Sequence, residues 1–216
     1  MTGYIAGVDE SGKGDFFGPL VIAAAAISVL ERPLLEELYV RDSKKMSDQR
    51  AATIAVELKR HVPHSIVVIM PEKYNKLYLK IGNLNKLLAW GHARAIENLL
   101  EKTPCDTVIS DKFGKEELLE RSLMERGKTI KLIQQVRGES ELSVAAASIL
   151  ARAEFVDSLH RLSQKWELDL PKGAAPQVDQ AGVVFIRKYG EERLSQVAKL
   201  HFKNLQKVRG LASRLL

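Results

Sequence analysis

The sequence predicts an α/β protein: a mixed five-stranded sheet flanked by helices, with a helical C-terminal region. Three observations carry this. Short apolar segments come early and then alternate with helix-period segments, the pattern of chains that lay helices on the faces of a sheet. The run "PLVIAAAAIS", residues 19–28, is continuously apolar, as a strand buried on both faces requires. Hydrophobic residues make up 45% of the 216-residue chain, enough for a core, and 28% charged residues argue against disorder.

Taken in order, residues 4–9 read as a short strand ending in acids, and 19–28 as the second strand. Ser47 is a cap for a helix to about residue 61, with Ala51, Ile54, Ala55 and Leu58 as its buried face. "HSIVVIM", residues 64–70, is a third strand closed by Pro71. A helix over about 85–102 carries Leu87, Leu88, Ala95, Leu99 and Leu100. "TVISD", residues 107–111, is a fourth strand, again ending on an acid. A helix over 116–126, a fifth strand over 129–136 and a long helix over 143–165 follow. "PKGAAP", residues 171–176, is a loop before further helical segments. One domain over 1–216 is expected, including a basic helical segment from about 177 to 216. In α/β sheets, sites form outside strand ends. Asp9 and Asp111 each close a predicted strand, so their carboxylates converge if those strands are adjacent and parallel.

The formal charge is +6 and the pI about 9.3, which favours a polyanionic partner. From residue 187 to 214 the basic residues far outnumber Glu191 and Glu192, and Lys199, Lys203 and Lys207 recur at the spacing of one helical face. Leu205, Val208, Ala212 and Leu215 mark an opposite apolar stripe. A solvated helix face is the favoured reading of these lysines. Cys105 is the single cysteine, which excludes a disulfide framework and a cysteine-type zinc site. No apolar run has the length to span a bilayer, and the Met1 end lacks an export pattern, so a soluble cytoplasmic protein is expected.

The stretch "GVDESGKGDFFGP" sets the chemistry. It approximates the phosphate loop of nucleotide hydrolases, which wants Gly, four residues, then Gly-Lys-Ser/Thr. Gly14 stands where the hydroxyl belongs, Asp9 and Glu10 repel phosphate, and no helix follows to offer its N-terminal amides. That reading is rejected. The acids gain a purpose when a hard divalent cation lies between them and phosphate, since magnesium takes one or two carboxylates together with phosphate oxygens and water. Two such ions about 4 Å apart activate a water and steady the departing oxygen of an in-line displacement. Neighbouring Asp9 and Glu10 face opposite sides of a regular strand, so the strand is expected to end or distort there. Gly12 and Gly14 allow close approach of a ligand to backbone N–H groups, with Lys13 placed for a phosphate. A solvated turn is the bland alternative for an isolated Asp-Glu pair; the glycines, Lys13 and Asp111 favour a site.

With these residues in view, "GVDESGKGDFFGPLVIAA" resembles the opening motif of type 2 ribonucleases H, and its form is similar to ribonuclease HIII more than HII. Asp42-Ser43-Lys44, "VISDKF", "ESELSVAAASILAR", "LPKGAAPQVDQAG" and "KLHFKNLQKV" extend the resemblance along nearly the whole chain. It implies an RNase H-like fold and endonucleolytic cleavage of the RNA strand of RNA–DNA hybrids. It also implies dependence on Mg2+ or Mn2+ and products with 3′-hydroxyl and 5′-phosphate ends. By position, it implies that Asp9, Glu10 and Asp111 are catalytic, metal-binding carboxylates. The fourth precedes the Ala-Ala-Ala-Ser segment, where Glu139 fits best and Glu141 is the neighbouring alternative; Asp157 is read as a surface charge. Gly12, Lys13 and Gly14 correspond to the loop that reads the RNA strand through its 2′-hydroxyls. Ser43, Lys44 and Lys172 are further substrate-binding candidates. Ribonuclease HIII usually carries an N-terminal substrate-binding domain, and the first strand here starts almost at Met1, so that domain is expected to be absent or removed. Ala174 stands where HII enzymes carry a Tyr used at a single ribonucleotide, so cleavage within runs of ribonucleotides is expected. The implied partner is the hybrid alone, with no membrane and no obligate protein partner, and the chain is expected to be a monomer.

Other residues favour structural readings. A general-base role for His92 is outweighed by the commoner structural role of a lone helical histidine. His201 beside Phe202 is as readily structural as substrate-touching. His61 and His64 flank Pro63 without a third ligand, and Trp90 and Trp166 lie in core patterns. Ser148 has no paired histidine, and hydrogen bonding behind the carboxylates is its expected role. The rival readings are a non-catalytic nucleic-acid-binding module, HII-like cleavage at single ribonucleotides, and a nucleotide hydrolase. The first leaves unexplained why acids end two separate strands.

Overall fold

The fold, obtained as a computed structural model that describes residues 3–40, 46–136 and 138–213, is built on five strands. They are β1 (Ile5–Ser11), β2 (Leu20–Ile27), β3 (His64–Ile69), β4 (Thr107–Asp111) and β5 (Lys131–Gln135). The sheet order is β3-β2-β1-β4-β5; β1 is antiparallel to β2 and parallel to β4, and β4 is parallel to β5. Every residue of β2 is buried, as its unbroken apolar run demands. This is the mixed five-stranded sheet that the sequence predicts.

The helices are α1 (Arg32–Glu37), α2 (Asp48–His61), α3 (Pro71–Ile81), α4 (Leu84–Leu100), α5 (Glu116–Ser122), α6 (Leu142–Lys165), α7 (Pro176–Tyr189) and α8 (Asn204–Ser213). The Ser47 hydroxyl accepts the N–H of Arg50 at 3.2 Å and caps α2, which buries Ala51, Ile54, Ala55 and Leu58. Asn83 caps α4 in the same way. Two helices, α1 and α3, have no counterpart in the sequence reading. Pro71 does close β3, but it also occupies the first turn of α3, where its missing N–H leaves no bond unmade. α5 stops at Ser122, short of the expected residue 126, because Arg126 and Gly127 turn their N–H groups onto the buried Glu97 carboxylate at 3.1 and 3.0 Å.

The chain packs as two compact units. One takes the residues up to Ser11, Val21–Val67 and Asn83–Glu154; the other takes Gly12–Leu20, Val68–Gly82 and the chain from Phe155 onward. In the first, β1 lies against the start of α6 so closely that a Cβ on Gly7 meets Val144 N at 2.2 Å and Ser143 C at 2.3 Å. In the second, Trp166 packs edge-on against Phe185 and Tyr189, with ring centroids 5.0 and 4.9 Å away. The core reading of Trp166 therefore holds.

The basic C-terminal stripe is corrected. α8 begins at Asn204, so Lys199 and Lys203 precede it, and Lys199 is fully buried rather than solvated. Its backbone is drawn out of helix by a bridge between Ala198 and Phe17 and by its own N–H, which bonds Phe16 O at 2.8 Å. Val208 and Ala212 do form a buried stripe, and Leu215 lies outside the described residues. Among the described residues no helix is long and apolar enough to cross a membrane.

Because the atoms facing Gly7 are backbone, they yield little to an added methyl. Gly7→Ala is expected to lower the unfolding free energy by about 3 kcal/mol through overpacking, read as a reduced urea midpoint at unchanged slope.

Candidate active site

The parallel register of β1 and β4 pairs Val8 with Ser110. Asp9 and Asp111 are the next residues along and so lie abreast on one face, at a strand spacing of about 4.8 Å. Alternation sends Glu10 and Ser110 to the other face. The expected break in β1 is not found. The strand stays paired with β2 through Glu10–Ile22 and Ser11–Val21, because β2 runs on alongside it.

Each carboxylate has its own environment. Asp9 accepts the N–H of Glu10 at 2.8 Å and bonds Ser148 of α6, the supporting role expected of that serine. Burial, and then the neighbouring charge of Glu10, push the Asp9 carboxyl up to about 6; the Ser148 hydroxyl, the Glu10 N–H and His92 oppose the rise. Glu10 Oε2 lies 2.9 Å from Nε2 of His92 on α4, and both side chains are almost sealed from solvent. Asp111 Oδ1 accepts the N–H of Gly138 at 3.1 Å. That bond holds the turn Gly138–Ser140 against the end of β4, and with it the backbone of Glu139, whose side chain lies outside the described residues. Glu141 instead lines a groove with Gly3, Ile5 and Ile27, at the opposite end of β1 from Asp9.

The remaining sequence candidates separate from this cluster. Asp157 pairs with Arg161 at 2.9 Å on an exposed helix face, as its surface reading expects. His61 lies 3.7 Å from Glu57, and His64 bonds Val62 O. Ser43 and Lys44 lie outside the described residues. His92 is the residue that sequence reasoning undervalued. Nothing in its spacing announces a partner 82 positions away.

Among the described residues no three carboxylate, imidazole or thiol groups gather as an ion-holding cluster. The donors nevertheless suit a hard divalent cation. Asp9 and Asp111 offer oxygens from one face, and magnesium or manganese completes such a pair with water and phosphate oxygens. The burial and repulsion that raise Asp9 would be relieved by a cation held there.

The Gly12–Gly14 loop belongs to the second unit and is built there by a different logic. Gly12 has φ +87°, and a Cβ on it meets Pro19 O at 2.3 Å, so only glycine serves. Gly14 and Lys13 are exposed. Beyond them, Phe16 donates its N–H to Gly173 O at 2.9 Å, and Gly173 returns one to Asp15 Oδ1 at 2.6 Å. The loops carrying Lys13 and Lys172 are thereby tied together. Lys199 closes the arrangement: its Nζ donates to Asp15 O and Gly18 O at 2.7 Å and to Phe17 O at 3.3 Å. Three carbonyls match the three hydrogens of an ammonium.

A model of the Ribonuclease HII family matches residues 6–205. Ribonuclease HIII of Protochlamydia amoebophila is 46% identical over 204 residues, covering 94% of this chain and 68% of that protein. Ribonuclease HIII of Chlamydia pneumoniae is 44% identical over 207 residues, covering 94% of this chain and 69% of that one. Among solved structures, Bst-RNase HIII in complex with Mn2+ superposes with a TM-score of 0.92 at 36% identity, over 98% of this chain and 70% of the other.

Lys199 gives the loop a pH signature. Burial pulls its pKa down to about 7 from 10.5, with the Asp15 charge opposing; Tyr74, whose ring lies 5.8 Å away, and His201 are its other titratable neighbours. Between those values the unfolded chain keeps the proton that the folded chain has lost, so stability gains as pH rises through the window. Melting wild type and Lys199→Met at about pH 6 and pH 9.5 is expected to show wild type gaining on the variant at the higher pH.

Proposed function

This chain belongs to the ribonuclease HII family, most like its HIII members, and we propose that its active site lies at the carboxylates where β1 and β4 stop pairing. It is a ribonuclease H, an enzyme of RNA–DNA hybrids. The observation that carries the site reading is the placing of Asp9 abreast of Asp111, with the Asp9 carboxyl pushed up by burial and by Glu10. A divalent cation held there would ease the burial and the Glu10 charge that raise Asp9.

Asp9, Glu10, Asp111 and Glu139 would hold Mg2+ or Mn2+. Glu139 is favoured over Glu141 because its turn is bonded to Asp111, whereas Glu141 opens on the far end of β1. The Mn2+ complex of Bst-RNase HIII supports a divalent ion. Bound as a pair, such ions would supply a polarised phosphodiester, an acidified water and a stabilised leaving oxygen, which is the route to 3′-hydroxyl and 5′-phosphate ends. Ser148 and the Glu10 N–H keep Asp9 oriented meanwhile.

Strand choice falls to the second unit. The exposed backbone at Gly14, held in place through Gly12, would meet ribose 2′-hydroxyls, the groups that distinguish RNA from DNA. Lys13 and Lys172, on loops joined by hydrogen bonds, would meet phosphates. Ser43 and Lys44 are assigned to substrate by their motif. Ala174 leaves a methyl where HII enzymes carry a phenol, so a lone ribonucleotide is expected to be a poor substrate.

Asp9→Asn is expected to reduce Mg2+-dependent cleavage of labelled hybrid to background while circular dichroism and hybrid binding stay near wild type. Full activity of that variant contradicts the reading. On duplexes holding four consecutive ribonucleotides or one, the first is expected to be cut much faster; equal rates refute the preference for runs.

A further inference from the structure

We propose that His92 is a positioning residue for Glu10, setting the carboxylate's orientation for the ion. This inference rests on the active-site reading of Glu10 and deepens it.

The His92 ring is fully buried on α4. A polar ring so placed costs free energy unless its nitrogens are bonded. Both nitrogens face the ends of β1 and β4: Nε2 is 2.9 Å from Glu10 Oε2, and Nδ1 is 3.4 Å from Ser110 Oγ. The Ser110 hydroxyl in turn donates to the backbone oxygen of Asp111 at 3.0 Å. Phe113 tilts against the ring with centroids 4.6 Å apart and shields it. The Glu10 carboxylate, the imidazole and the Ser110 hydroxyl therefore lie side by side in a buried row that ends at the backbone of Asp111.

Glutamate has one more rotatable bond than aspartate, and Glu10 points to the face away from Asp9. Left to itself, its carboxylate samples several rotamers, only some of which serve an ion at the strand ends. The His92 Nε2–H anchors one oxygen and fixes the plane of the group. Carboxylates that ligate metals are commonly held this way, and loss of the holding group weakens metal binding or activity about 10- to 100-fold. A general-base role does not suit His92, because it is closed to solvent and its Nε2 faces the Glu10 carboxylate.

The test uses the full chain stripped of metal and titrated with Mn2+ by calorimetry, followed by kcat and KM on hybrid. His92→Leu is expected to weaken Mn2+ binding and lower kcat, each by about 10-fold or more, with KM for hybrid little changed. His92→Gln, which restores an N–H donor, is expected to recover most of both. Mn2+ uptake abolished by Asp9→Asn but untouched by His92→Leu overturns the role of His92 and leaves the active-site reading standing. Wild type that takes up no Mn2+ overturns that reading itself. Losses in both His92 variants that merely follow their folded fraction assign the ring to packing and overturn the proposal.

Discussion

The parallel ladder between β1 and β4 is the constraint from which the site follows. Parallel pairing brings like ends of two strands to the same edge, and the register of Val8 with Ser110 decides which residues stand side by side there. A slip of one residue turns Asp111 to the opposite face and separates it from Asp9. That register is held from both sides. β2 pairs with β1 along its full length, and α6 presses on Gly7 at a distance no side chain permits.

The same ladder makes the carboxylates unequal. Asp9 shares a face with Asp111 and lies under α6, where burial and, after it, the charge of Glu10 push its carboxyl up. Glu10 looks the other way, into α4 and onto His92. A protein selected for stability alone has little reason to hold an aspartate under such conditions. Burial and the Glu10 charge are conditions that a divalent cation would ease, and the hydrogen bonds from Ser148 and the Glu10 N–H orient the Asp9 oxygens.

The second unit answers a different problem, that of holding an open loop still. A Gly-Lys-Gly segment has little side chain with which to pack. Its shape is imposed from outside, by hydrogen bonds that Gly173 exchanges with Phe16 and the Asp15 side chain and by Lys199, whose Nζ gathers three carbonyls. Burying Lys199 is costly, and the three acceptors together with the nearby Asp15 charge offset that cost.

Local chemistry was legible in the amino-acid order. The buried run of β2, the cap of α2, the acid ending β4, and the family motif around Asp9 depend on residues near one another in the chain. The missed helix α3 was a near miss of the same kind: Pro71 announces both an end and a beginning, and the spacing alone shows only the first. Tertiary structure decided the rest. It made Lys199 a buried clamp rather than a member of an exposed stripe, carried β1 past its acids without a break, and brought His92 onto Glu10. Each of these depends on a partner far away in sequence, and helical period or strand alternation names the face a side chain takes but not what lies against it.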